Sequence, residues 1–208
     1  MYELRNQKII LIVVLVLILA VSMLLGCSKN ISDNPSNSNY CERPHVTGIM
    51  VKNSIIYSNY MFLCGGDVIE SGIQISEADE NNKLISQKNF LKGWSYGIFV
   101  SGDFVYLANG NDGLAIVNIK DTKNPYLESQ IDTNGYANAV FVYNDIAYVA
   151  DGNSGLQIIS IKDKANPEFL FNFNTKGYAS DLFVDEKNVY LADGNNGLQI
   201  ISKDKLGL

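Results

Sequence analysis

One block of sequence recurs along this chain at a fixed interval, and that interval restricts the fold more than any other feature. Gly113, Gly155 and Gly197 stand 42 residues apart, as do Pro125 and Pro167. Around them the chain reads Val105-Tyr106-Leu107-Ala108-Asn109-Gly110, then Ala147-Tyr148-Val149-Ala150-Asp151-Gly152, then Val189-Tyr190-Leu191-Ala192-Asp193-Gly194. Each is followed by a second apolar run: Leu114-Ala115-Ile116-Val117, Leu156-Gln157-Ile158-Ile159-Ser160 and Leu198-Gln199-Ile200-Ile201-Ser202. A gapless period means that one supersecondary unit is copied. Each unit buries its apolar faces by stacking on its neighbours rather than by folding alone.

Within one copy, four extended runs are expected: Ala139–Tyr143, Ile146–Ala150, Leu156–Ile161 and Glu168–Phe173. Each is short, rich in β-branched, aromatic or aliphatic residues, and bounded by Asn, Asp, Gly or Pro. The middle two are apolar at successive positions, as in strands covered on both faces. Asp151-Gly152-Asn153-Ser154-Gly155 between them supplies the positive-φ positions of a tight hairpin. Four antiparallel strands in about 40 residues is the period of a propeller blade. A degenerate copy precedes these, in which Tyr60–Gly65 matches the Val-Tyr-Leu-Ala strand and Gly72–Ser76 matches Gly-Leu-Gln-Ile-Ile. The longer spacing there predicts an insertion in the hairpin. The expected fold is therefore all-β, a propeller-like array with units at about 47–92, 93–134, 135–176 and 177–208 within a domain spanning 40–208.

The segments Leu114-Ala115-Ile116-Val117-Asn118-Ile119-Lys120-Asp121…Asn124-Pro125 and Leu156-Gln157-Ile158-Ile159-Ser160-Ile161-Lys162-Asp163…Asn166-Pro167 resemble LVIVD repeats, which occur in surface and exported β-propeller proteins. The resemblance implies a propeller-like fold outside the cytoplasm. It implies no defined activity. The last copy stops after its third strand, at Lys203–Leu208. A strand from residues 40–46 or 47–52 could complete a four-bladed ring. The alternatives are an open array or a truncated piece of a larger propeller, and these are favoured. An open apolar edge invites self-association.

The N-terminus reads as an address. Arg5 and Lys8 precede an apolar run from Ile9 to Leu25 whose one polar residue is Ser22, and the run ends at Leu24-Leu25-Gly26-Cys27. A basic start, an apolar middle and a small residue before the cut are the parts of a secretory signal. The Leu-x-Gly-Cys ending resembles the lipobox of bacterial lipoproteins, which implies acylation of Cys27 and removal of residues 1–26. The competing reading is an uncleaved transmembrane helix at the short end of the spanning range. In either case the basic flank stays in the cytoplasm and the domain lies outside. Residues 27–39 then form an acylated cysteine and a polar tether spanning about 20 Å on average if flexible. The expected location is the cell membrane or outer envelope, with membrane lipid as partner through Cys27. Cys41 and Cys64 remain as a candidate disulfide in a compartment that permits one.

Without residues 1–26 the chain carries 14 basic and 21 acidic side chains, and no Lys/Arg stripe interrupts them. Such a surface repels phosphate backbones, so nucleic acid is not an expected partner. The one histidine, His45, lies outside the expected repeats, and no nucleophile elbow, phosphate loop or metal-spaced Cys/His cluster is present. Asp185-Glu186 is the one adjacent acidic pair of the repeat region outside the degenerate copy, and it sits at a strand-to-strand turn. No catalytic residue, metal or cofactor is expected.

In a propeller the hairpins between second and third strands share a rim with the crossings between blades. That rim would collect Trp94, Tyr96, Asn109, Asp112, Tyr136, Asp151, Asn153, Tyr178, Asp193 and Asn195. Amides, carboxylates and aromatic rings together suit a glycan, a peptide or a protein ligand. The plainer reading is that Asp-Gly-Asn-x-Gly only makes a tight turn and that Gly-Tyr-Ala only packs between blades. Calcium is disfavoured because Asn109 replaces the acid and no closing Glu follows. The functional expectation is a lipid-anchored, non-enzymatic binding or scaffold module. The alternatives are a propeller enzyme acting on glycans or using a quinone-type cofactor, and a fragment of a larger propeller.

Overall fold

The computed structural model describes residues 45–52, 55–64, 67–78, 84–90 and 95–208, with backbone alone at 45, 61–64, 67–71, 78 and 84–90. Cys27, Cys41 and Trp94 lie outside these residues, as do the signal segment and the tether.

Among the described residues, fifteen strands form four antiparallel sheets. The first contains β1 (His45–Lys52), β2 (Ile55–Cys64), β3 (Asp67–Ala78) and β4 (Leu84–Phe90). The second contains β5 (Gly97–Ser101), β6 (Phe104–Ala108), β7 (Leu114–Asn118) and β8 (Tyr126–Ile131). The third contains β9 (Ala139–Tyr143), β10 (Ile146–Ala150), β11 (Leu156–Ser160) and β12 (Glu168–Phe173). The fourth holds only β13 (Asp181–Val184), β14 (Asn188–Ala192) and β15 (Leu198–Ser202). Within each sheet the spatial order follows the chain order, so every sheet is a meander built from local hairpins.

The period-2 pattern of the strands decides how the sheets stack. Tyr106, Ala108, Leu114 and Ile116 of the second sheet pack on Val140, Val142, Ala147, Val149 and Ile159 of the third. The opposite face of the third sheet, with Tyr148, Ala150, Leu156 and Ile158, packs on Val184, Val189, Leu191 and Ile201 of the fourth. Tyr57, Ile73 and Ile75 of the first sheet pack on Val100, Val105, Leu107, Ala115 and Val117 of the second. Thus β6, β7, β10 and β11 are covered on both sides, as their unbroken apolar sequences require. The fourth strands β8 and β12 lie outermost and are largely exposed. Each carries a bulge at the same point, opposite Ile116/Val117 and Ile158/Ile159, which bends the outer strand away from its sheet.

The Asp…Asn-Pro signature is a turn device. Asp121 accepts hydrogen bonds from the Lys123 amide and from Asn124 Nδ2, and Asp163 accepts them from the Ala165 amide and Asn166 Nδ2. These donors hold both carboxyls below the usual range, the asparagine side chain acting most strongly. The turn aims the chain back along the sheet, and the proline that follows stands immediately before the outer strand.

Two expectations are corrected. Ile56–Asn59, not the segment starting at Tyr60, is the counterpart of the Val-Tyr-Leu-Ala strand, because Tyr57 pairs with Ile75 as Tyr106 pairs with Ile116 and Tyr148 with Ile158. The extra residues of the first unit therefore lengthen the ladder instead of looping out. Beyond Tyr60↔Gly72 the pairing continues to Cys64↔Asp67, past one bulge. Residues 47–52 do not complete the fourth sheet. They belong to β1, paired with β2 through a connection of two residues, and local closure of so short a hairpin outweighs pairing with a distant strand. His45 is accordingly the first residue of the first sheet.

Candidate functional site

The hairpins after β6, β10 and β14 have the geometry their sequence demands. Gly110, Gly113, Gly152, Gly155, Gly194 and Gly197 all have φ between 53° and 76°, a region where an L side chain is strained. The Asn109, Asp151 and Asp193 amides close these hairpins by donating to the Gly113, Gly155 and Gly197 carbonyls.

Each interior hairpin is then stitched to the crossing that leads into the next sheet. Gly110 bridges to Ala137 and Gly152 to Ala179, with paired backbone hydrogen bonds of 2.9 and 3.1 Å in both places. The Tyr136 ring lies over Gly110 and the Tyr178 ring over Gly152, so close that a Cβ on either glycine would stand 3.0–3.1 Å from a ring atom. Small residues in the hairpin thus make room for an aromatic ring from the following crossing.

The acids expected on the rim turn inward. Asp151 is fully buried, accepting from Thr133 Oγ1 at 2.7 Å and from Gln157 Nε2 at 2.9 Å. Burial pushes its carboxyl above the usual range, and the bonds from Thr133, Gln157 and the Gly135 amide only partly offset this. Asp193 is also fully buried and accepts from Thr175 Oγ1 at 2.6 Å, Asn196 Nδ2 at 2.7 Å and the Gly177 amide at 3.1 Å. Asn109 is nearly buried as well. The expectation that these three residues face a ligand is therefore corrected, since each secures its hairpin from inside. A threonine from the preceding crossing completes the latch at Asp151 and Asp193. The unit with Asn109 has Leu91 where the others have Thr133 and Thr175, so the acid and its hydroxyl donor are replaced together. Thr133 and Thr175 were not singled out in the sequence, although their 42-residue spacing was a usable signal.

The remaining rim residues stay outside. Asp112, Asn153 and Asn195 are exposed at the hairpin tips. Tyr96, Tyr136 and Tyr178 come together along the crossings. Tyr136 Oη donates to Tyr96 Oη at 2.6 Å, and their rings lie 5.3 Å apart, tilted by 57°. Burial and this bond raise the Tyr136 hydroxyl well above its ordinary value. Tyr178 Oη reaches Asn138 Oδ1 at 3.4 Å, while Asn138 Nδ2 donates to the Tyr136 and Ala179 carbonyls. Asn138, the counterpart of Tyr96 one period on, is a further rim residue absent from the sequence-based set. Tyr178 is the most open of the three tyrosines, with 41% of its surface exposed. The result is a row of phenol rings, two in direct contact and the third joined through the Asn138 amide, able to stack against flat or apolar faces and to hydrogen-bond at their edges.

Elsewhere, Asp185 accepts from the Lys187 and Asn188 amides and from Tyr190 Oη, which makes the Asp185-Glu186 pair the cap of a turn. Cys64 ends β2, and its side chain and Cys41 lie outside what is described. Among the described residues no three His, Cys, Asp or Glu side chains converge as metal ligands, and no helix is long and apolar enough to cross a membrane.

No curated protein matches the chain. The family model described as LVIVD repeat matches three times, at residues 92–133, 134–175 and 176–202, which together cover more than half of the sequence. The repeat boundaries fall in the crossings that carry Tyr136 and Tyr178, one repeat to each of the second, third and fourth sheets. The chain therefore belongs to the LVIVD-repeat family.

Proposed function

We propose that the chain is an exported lipoprotein, anchored through acylated Cys27, whose LVIVD-repeat domain is a non-enzymatic binding module at the cell surface. The observation that carries the binding role is the row formed by Tyr96, Tyr136 and Tyr178 along the crossings, flanked by Asn138 and by the exposed amides Asn153 and Asn195. Aromatic faces with amide edges suit the ring faces and hydroxyls of a glycan, or the side chains and backbone of an extended peptide. The inward orientation of Asp151 and Asp193 supports a binding role over a catalytic one, because the rim's buried acids are already occupied with hairpin support. The anchor rests on Leu24-Leu25-Gly26-Cys27 after the apolar run.

Two measurements test the two halves separately. Intact-mass spectrometry of the protein from its own membrane fraction should match residues 27–208 plus acyl chains, whereas the mass of the uncleaved chain rejects the anchor. Binding of the full chain to arrayed glycans and peptides should yield ligands whose retention drops by ~5- to 30-fold in Tyr178→Ala, the loss of one aromatic contact of ~1–2 kcal/mol. Ligands retained equally by the variant, or substrate turnover that disappears with it, would refute the binding role.

A further inference from the structure

The face that each unit lays on the sheet before it is nearly constant, with one exception. The third sheet presents Val142, Ala147, Val149, Ile159 and Ile161 to the second. One period on, the fourth presents Val184, Val189, Leu191 and Ile201 to the third, and the place of Ile161 falls to Lys203. The backbone fixes that place identically in each unit, since the Ile119, Ile161 and Lys203 amides donate to the Asp103, Asp145 and Lys187 carbonyls at 2.8–2.9 Å. Lys203 is almost as hidden as the isoleucines it replaces, at 7% exposed against 5% for Ile119 and 0% for Ile161. A buried ammonium needs a partner. The Tyr143 ring of the third sheet supplies it, with its centroid 3.4 Å from Lys203 Nζ, and the Tyr148 ring follows at 5.6 Å.

The receiving faces differ at the matching point. Tyr106, Ala108, Leu114 and Ile116 of the second sheet recur as Tyr148, Ala150, Leu156 and Ile158 of the third, but Ser101 becomes Tyr143. Isoleucine therefore meets a serine unit at one junction, and lysine meets a tyrosine unit at the next. The neighbouring charges do not discriminate between the two. Asp185 and Glu186, which attract the Lys203 ammonium, lie in its own unit and travel with it. Asp103 occupies in the second unit the place that Asp145 has in the third.

This pair answers a difficulty that near-identical repeats create. The fourth unit's face also fits the second sheet whenever the third unit loops out, and misassembly of that kind is a characteristic failure of repeat chains. Apolar contacts alone cannot separate two receiving faces that present tyrosine, alanine, leucine and isoleucine in the same order. The ammonium can. On the second sheet it would keep the Tyr106 ring but find Ser101 in place of the nearer ring, and a desolvated cation over a ring is worth roughly 10- to 30-fold in an equilibrium. We infer that Lys203 and Tyr143 form a key that fixes the stacking order, directing the fourth unit to the third sheet and away from the second. The lysine contributes specificity rather than bulk stability, which the isoleucine of the other units would supply equally well.

Refolding of the full chain from urea in detergent, with pulsed hydrogen exchange read by peptide mass spectrometry, tests this directly. In the parent chain β10 and β11 should gain protection no later than β14 and β15. In Lys203→Ile a population at least ~10-fold larger should appear in which β14 and β15 are protected while β10 and β11 still exchange, the mark of a fourth unit seated on the second sheet. Lys203→Met, with a stem of similar length and no charge, should behave in the same way, and Lys203→Arg should keep the parent pattern. Tyr143→Ser should raise the native-state opening of β13–β15 by roughly 10- to 30-fold, because the ammonium loses its nearer ring. The inference is overturned if Lys203→Ile and Lys203→Met refold with the parent pattern, or if Lys203→Arg misorders as they do. Unchanged opening in Tyr143→Ser overturns it as well, since the ring would then hold nothing.

Discussion

The identical pentapeptides at 156–160 and 198–202 allow the stacking energetics to be tested with sequence held constant. Leu156→Ala and Leu198→Ala remove the same atoms from the same position of the same motif. Leu156 is fully buried between the third and fourth sheets, in contact with the cluster that includes Val189 and Leu191. Three carbons at ~0.8 kcal/mol each give about 2.4 kcal/mol, and the cavity left between two rigid sheets adds about 1–2 more. Leu156→Ala should therefore cost about 3–4 kcal/mol. Leu198 is 64% exposed, so little burial is lost and the cost should stay within about 0.5 kcal/mol. For a domain of this size each kcal/mol moves the melting temperature by about 2–4 °C, which predicts a drop of about 10 °C for Leu156→Ala and almost none for Leu198→Ala. Urea unfolding followed by circular dichroism gives both numbers. Equal losses in the two variants would refute the reasoning, because they would mean that the fourth sheet's face is covered in the single folded chain.

Two further perturbations use the same logic of matched positions. Gly155 and Gly197 share positive φ values of 76° and 71°, but a Cβ at Gly155 would stand 2.5 Å from the Phe173 carbonyl oxygen, while at Gly197 nothing lies within 4 Å. Gly197→Ala should cost about 1 kcal/mol from backbone strain alone, and Gly155→Ala at least ~2 kcal/mol more, measured by chemical denaturation; equal costs would contradict the observed packing. Asp151 has a carboxyl raised by burial, so the folded state holds that proton more tightly than the unfolded chain. Its contribution favours folding below the unfolded value near ~3.9 and is lost as pH rises through the higher folded value. The stability advantage of the parent chain over Asp151→Asn should therefore shrink as pH rises above about 4, and growth of that advantage with pH would show that the Thr133, Gln157 and Gly135 donors outweigh burial.

The repeat, the strand limits of the third unit and the hairpin chemistry were legible in the sequence, because they depend on local rules. Glycine at a positive-φ position, Asx side chains at turns and apolar residues on both strand faces leave traces at the residues that need them. The 42-residue period multiplied those traces. The first unit was misaligned for the converse reason, since the segments starting at Ile56 and at Tyr60 both read as apolar and aromatic strand and only the pairing of Tyr57 with Ile75 separates them. The rim was half legible. Tyr96, Tyr136 and Tyr178 could be placed on it from topology, but the direction of a short carboxylate is set by donors far away in sequence. Asp151 and Asp193 look like surface turn residues until Thr133 and Thr175 are brought against them.

By itself, then, the sequence determined that this chain is a stack of β-meanders and where each one turns, because propensity, alternation and turn chemistry are encoded residue by residue. Tertiary structure alone decided which of several identical faces is covered. Leu156 and Leu198 have the same neighbours in the chain and opposite exposures in the fold. Burial depends on whether another sheet arrives, and that is a property of the assembled stack, not of the motif that presents the face.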